Sequence, residues 1–140
     1  MTIQAIKHAI LLDSPIQRVW QALTTPLEVT QWLGAIGFAP QMGHEFYFQV
    51  EPRGEWDGKT YSEIIENAPH RLAFTWYVPG LPKTLVTFTL RAAGAQTELT
   101  LEHTGWDQLP PFVAPIRDEL DLGWRDGVLP NLRRQLGEAA

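Results

Sequence analysis

The 140-residue chain contains no cysteine. Disulfide scaffolds, thiolate zinc sites, CxxC redox chemistry and a cysteine nucleophile are therefore excluded together. Positive charge is also scarce, with eleven Lys and Arg against sixteen Asp and Glu and a net charge of −5. The densest basic pair is Arg133-Arg134, so neither nucleic-acid phosphates nor an anionic membrane surface is an expected partner. No stretch reaches the roughly 18 uninterrupted apolar residues of a spanning helix. The opening Met1–His8 lacks the basic segment and apolar core of an export signal. There is no GxSxG elbow, and Gly34 and Gly37 have neither the spacing nor the Lys-Ser/Thr partner of a phosphate loop. One cytoplasmic domain over residues 1–140 is expected, with no nucleic-acid or membrane partner and no cofactor.

Large rings are plentiful: six Trp, six Phe and three Tyr in a chain that is 44% apolar. Their spacing alternates through most of the sequence. Ile6, His8, Ile10 and Leu12 form one face of a first strand. Phe46, Phe48 and Val50 form one face of a second, and Leu72, Phe74, Trp76 and Val78 of another. Val86, Phe88 and Leu90 repeat the pattern, as do Leu99, Leu101 and His103. For Thr60–Glu66 the alternation does not decide which face is covered. Gly54 with Gly58, Asn67–His70, Pro79–Pro82 and Ala92–Ala95 supply turns. Strands with one apolar and one polar face, joined by hairpins, predict a twisted antiparallel sheet covered on one side.

Helical spacing occurs at both ends of this region. Ser14-Pro15 reads as a helix start, the serine oxygen serving as cap, before Ile16, Val19, Trp20 and Leu23. Leu27, Val29, Trp32 and Leu33 make a second short helix. Near the C-terminus, Ile116, Leu120 and Trp124 mark one stripe and Val128, Leu129, Leu132 and Leu136 another. At ~100° per residue the two stripes point about 130° apart, and Gly127 and Pro130 fall at the change. Since Pro130 would break a hydrogen bond and clash inside a straight helix, a kinked or broken helix with both halves facing the sheet is predicted.

The order of strand, helix pair, antiparallel strands and long terminal helix resembles the α+β helix-grip fold of START-like (SRPBCC) and birch-pollen-allergen-like domains. Particular residues sharpen the likeness. Ser14-Pro15, Val19-Trp20 and Ala22-Leu23-Thr24, then Gln31-Trp32, resemble the opening of the family related to the activator of the heat-shock-protein-90 ATPase. Gly58 to Glu63, Pro69, Arg71-Leu72 and Thr75-Trp76 are similar to its middle, and Thr97–Leu101, His103-Thr104-Gly105 and Gly123-Trp124 to its end. The family usually runs an unbroken helix where Gly127 and Pro130 stand here. The two-domain co-chaperone carries an additional chaperone-binding domain, which is not expected within these 140 residues.

The resemblance implies a curved sheet gripping a helix around an apolar pocket. Candidate ligand-binding residues are Phe46, Phe48, Phe74, Trp76, Phe88 and Leu101 on the sheet and Trp124 on the helix, with Trp32 and Phe112 near the mouth and His103 as the polar group. The competing reading is a solid core in which these rings pack on one another. For His103 it is a histidine satisfied by backbone or by the Gly105 turn. Trp106–Pro115 is expected to act as a lid. His8, on a strand expected to pair with that of His103, lacks a carboxylate to complete a metal site, and no metal is predicted. Asp118, Glu119 and Asp121 are expected in the first turns of the last helix, favoured there by its dipole.

The expected function is binding of a small apolar or aromatic ligand, without a catalytic site. A polyketide cyclase or aromatase activity is the enzyme alternative, and would need polar groups from His103, His8, Ser62 and Tyr61. Protein binding through Tyr47, Tyr61 and Tyr77 is the third, and a homodimer through the sheet edges stays open.

Overall fold

A computed structural model describes residues 3–139. The chain opens with strand β1 (Ile6–Leu12), then helices α1 (Ile16–Thr24) and α2 (Pro26–Leu33). Strands β2 (Glu45–Gln49), β3 (Lys59–Ala68), β4 (Arg71–Trp76), β5 (Thr84–Ala93) and β6 (Gln96–Thr104) follow. The end is helical: α3 (Ala114–Gly123), a π turn over Trp124–Val128, and α4 (Leu129–Gln135). The six strands form one antiparallel sheet in the order β1-β6-β5-β4-β3-β2. The expected pairing of the first strand with that of His103 holds, Ile6 standing opposite His103. This is the α+β helix-grip architecture. Among the described residues no helix is long and apolar enough to cross a membrane.

The core lies between the sheet and the helices. Ile6 and Leu12 of β1, Phe74 of β4, Val86 and Phe88 of β5 and Leu99 and Leu101 of β6 are fully enclosed. Val19, Leu23, Val29 and Trp32 close over them from α1 and α2. Beyond Phe48, Val50 leaves the strand and is exposed, so it does not continue that apolar face. On β3 the buried positions are Thr60, Ser62 and Ile64. Tyr61, the large ring, faces outward against Tyr77, and a register shift between Ile64 and Glu66 follows.

Ser14 does not cap α1 with its side chain. The Pro15 carbonyl accepts the first amides, those of Arg18 and Val19, and Ser14 is buried with its own carbonyl accepting from the Thr97 hydroxyl at 2.7 Å. The serine therefore fastens the start of α1 to β6.

The terminal helix is not broken. Its two stripes are reconciled by the π turn, whose extra residue takes up about 100° of rotation and carries Leu129 and Leu132 round to the buried side. The Leu129 amide reaches back to the Trp124 carbonyl, and Pro130 follows directly, so the amide that it removes from the ladder lies at the end of the π turn. Of the first stripe, Trp124 is buried and Leu120 packs on the core, whereas Ile116 stays exposed.

Gly58 shows where the sheet truly requires glycine. Its φ is +81°, and a Cβ there would lie 2.1 Å from the Val50 carbonyl oxygen. Gly58→Ala should destabilise the protein by about 2 kcal/mol or more, combining backbone strain with that clash; a urea midpoint equal to wild type would refute this placement of the β2–β3 turn.

Candidate functional site

His103 sits at the end of β6 on the covered face and is fully buried. The Trp124 indole Nε1 lies 3.3 Å from its Nδ1. An indole N–H only donates, so Nδ1 accepts and the remaining ring proton is on Nε2. Nε2 is 2.8 Å from the Thr84 hydroxyl oxygen, while that hydroxyl gives its single proton to the Trp76 carbonyl at 2.7 Å. The donors run one way: Trp124 to His103, His103 to Thr84, Thr84 to Trp76. Trp76, Trp106 and Trp124 surround the imidazole, with ring centroids 5.6, 4.9 and 6.1 Å away. Burial first, and the Arg117 charge second, push its pKa down to about 3. His103 is thus neutral and occupied on both nitrogens, satisfied by side chains rather than by the Gly105 turn.

Directly beside this run of hydrogen bonds lies a cleft of about 90 Å³. Phe48 and Trp76 of the sheet form one wall, Leu120, Gly123, Trp124 and Val128 of the terminal helix the other, and Leu33 of α2 closes one end. Phe48 and Trp76 meet at a tilt of 37° with centroids 4.6 Å apart, and Trp76 meets Trp124 at 5.6 Å. The cleft is partly open to solvent, and Gly123 is the exposed member of its lining. The lining offers apolar contact and no carboxylate, imidazole or hydroxyl.

Of the residues picked out from sequence, Phe48, Trp76 and Trp124 meet at the cleft. Phe46, Phe74, Phe88 and Leu101 lie instead in the packed core, where Phe74 touches Phe46 and Phe88 in tilted or edge-on contacts. Most of the interior is therefore filled by its own rings, and only the cleft remains of the expected pocket. Trp32 is not at a mouth: it is buried, edge-on to Phe88, with its Nε1 donating to the Ala22 carbonyl at 2.8 Å. Phe112 is 68% exposed and contributes nothing to the lining. Nor does the rest of Trp106–Pro115 cover the cleft; it forms two short 3₁₀ turns anchored by buried Trp106 and Val113. Leu33, Leu120, Gly123 and Val128 were missed. The leucines and the valine sat on recognised apolar stripes, and Gly123 stood out only as part of the Gly123-Trp124 likeness to the family.

The other polar candidates do not converge on the cleft. His8 Nε2 lies 2.6 Å from the Asp121 carboxylate, whose second oxygen meets Arg117 at 3.2 Å. Arg117 also donates to the Gln4 and Ala5 carbonyls, so this cluster clamps α3 to β1. Because α3 begins at Ala114, Asp118, Glu119 and Asp121 lie beyond its first turn, and Asp121 is explained by the clamp rather than the dipole. Ser62 Oγ is buried opposite Phe46 with no partner among the described residues. Among those residues no three His, Cys, Asp or Glu side chains gather as a metal site.

A curved antiparallel sheet closed by a C-terminal helix over an apolar cleft defines the chain as a helix-grip domain. A family model described as "Activator of Hsp90 ATPase homolog 1-like protein" matches residues 13–124, and the chain belongs to that family. Comparison with curated protein sequences found no match. Among solved structures, protein MLL2253 from Mesorhizobium loti superposes with a TM-score of 0.80 at 24% identity, over 96% of this chain and 97% of that one. PFC0360w from Plasmodium falciparum, an HSP90 activator, gives 0.73 at 18%, over 95% and 96%. The Aha1 dimer of Colwellia psychrerythraea gives 0.67 at 19%, over 88% and 92%. These likenesses show the shared fold.

The neutral His103 makes a pH prediction. An unfolded histidine takes up its proton near pH 6.5 and the folded one only near 3. Between those values the unfolded state binds more protons, and stability falls as pH falls by about 1.4 kcal/mol per unit. His103→Gln should lack this component, so urea midpoints of wild type and variant should converge between pH 6.5 and 4. Parallel profiles would refute the buried neutral imidazole.

Proposed function

We propose that this protein is a binding module that takes the apolar or aromatic part of a small molecule into the cleft between Phe48 and Trp76 of the sheet and Leu120 and Trp124 of the terminal helix. The wholly apolar lining carries this reading. Such walls gain from any apolar group that replaces water. Without an acid, base or nucleophile on that lining, the cleft supports binding better than a cyclase or aromatase reaction.

The volume limits the guest. About 90 Å³ is below the roughly 150 Å³ of an engineered cavity that takes up benzene, so the cleft as it stands accepts a ring edge or short alkyl end. A larger guest requires α3 to yield, and no residue of α3 is fully buried. Native mass spectrometry of freshly purified protein should show a retained small molecule and would read the oligomeric state at once. In solution, N-phenyl-1-naphthylamine should gain fluorescence on binding, and Leu120→Trp, which fills the cleft, should weaken that binding at least tenfold while the fold is kept. An unchanged titration would place the probe elsewhere and defeat the reading.

One observation favours a second reading, docking of a protein partner on the opposite face. Tyr47, Tyr61 and Tyr77 form a cross-strand row, with the Lys59 and Lys83 ammonium groups 5.3 and 4.9 Å from the Tyr47 and Tyr77 rings. Purified Hsp90 is the partner to test, given the family. Binding lost in Tyr61→Ser would support this reading, and absence of binding to the wild type would remove it.

A further inference from the structure

Nine of the eleven glycines have a positive φ, and the other two, Gly123 and Gly127, are helical. Gly58 and Gly105 have φ of +81° and +96°, and a Cβ on either would press against neighbouring backbone. Gly123 has neither reason. Its φ and ψ are −62° and −42°, ordinary α-helical values open to any residue. A Cβ built on it meets no atom within 4 Å outside the helix's own nearby backbone. Glycine is a poor helix former, and this helix already lacks the amide of Pro130. What Gly123 does have is a place on the cleft lining, on the helix that faces Phe48 and Trp76, at a position that is itself exposed.

We propose that Gly123 sets the size of apolar group that the cleft admits, the missing side chain being the aperture. This rests on the binding reading above and adds its selectivity-determining residue. Any side chain at 123 projects into space that the geometry leaves open, and a branched one occupies the entrance. Gly127 provides the matched comparison. It too is a helical glycine with nothing within 4 Å of a built Cβ, but it is not part of the lining.

The test uses the full chain, with Gly123→Leu, Gly123→Ala and Gly127→Leu compared by N-phenyl-1-naphthylamine titration, circular dichroism confirming the fold. Gly123→Leu should weaken binding at least tenfold, Gly123→Ala about threefold, and Gly127→Leu not at all. Equal binding by wild type and Gly123→Leu, or equal losses in Gly123→Leu and Gly127→Leu, would overturn the proposal. If Gly123→Leu fails to fold, Gly123→Ala decides, and unchanged affinity there overturns it. A second measurement separates the aperture from the binding reading: 19F NMR of 5-fluorotryptophan-labelled protein under dissolved oxygen, resonances assigned by single Trp→Phe variants. Oxygen should shift Trp76 and Trp124 more than Trp32, and Gly123→Leu should suppress the difference. If no probe binds the wild type, the binding reading falls and this measurement alone judges the aperture, an unsuppressed difference refuting it.

Discussion

The two walls of the cleft are held at a fixed separation by a relay of three hydrogen bonds, from the Trp124 indole through His103 and Thr84 to the Trp76 carbonyl. Each member has one arrangement that satisfies it. The indole can only donate, the hydroxyl has one proton, and the carbonyl can only accept, so the imidazole is left with a single tautomer and no charge. Buried polar groups joined in this way are costly to break, because every broken link strands a partner away from water. Helix and sheet are thus tied beneath the cleft by directional contacts, and the indoles that line it are positioned rather than merely packed. The histidine that looked from its sequence position like a ligand contact is the structural joint of the site.

The terminal helix faces a second constraint, that of phase. Trp124 must point at His103, and Leu129 and Leu132 must point into the core, yet on an ideal α-helix these positions do not share a side. The π turn supplies the missing rotation, and it falls where Pro130 has removed an amide from the regular ladder. The break in periodicity and the proline therefore have one structural solution. The helix before the turn meets the sheet through Leu120 and the His8–Asp121–Arg117 clamp, while α4 buries Leu129 and Leu132. A firmly anchored second half and a shallowly packed first half result, with the cleft at their junction.

Alternation exposed the strands because Leu72 and Phe74, Val86 and Phe88, and Leu99, Leu101 and His103 obey a period of two. β3 defeated it for a physical reason: Thr60 and Ser62 face inward and Tyr61 outward, so hydropathy runs against burial along the first half of the strand. The cleft was legible only in part. Trp76 and Trp124 announce themselves as large rings on the correct faces. Which ring borders empty space and which is enclosed, as Phe88 is, depends on how α3 is rotated and tilted, and no local pattern encodes that. Asp121 could not be paired with His8 from sequence either, since 113 residues separate them. Phe112 misled because a ring in a proline-rich loop carries no periodicity to reveal its direction.

Magnitudes decide what the cleft can accomplish alone. Cavity energetics of about 24 cal/mol per Å³ applied to 90 Å³ give roughly 2 kcal/mol, an upper bound because the cleft is not sealed from solvent. A guest confined to the cleft would bind no tighter than the millimolar range, for which about 4 kcal/mol is needed. Useful affinity therefore requires contacts outside it. Ile116 lies one turn before Leu120 on the same helix and is 47% exposed. Glu119 and Arg53, 3.7 Å apart and both exposed, bridge α3 to the β2–β3 turn. A molecule with its apolar end in the cleft and its body against Ile116 would use that exposed apolar group as well. In the proposed binding role, the cleft would select by shape at Gly123, while most of the binding energy would be gathered along the outside of α3.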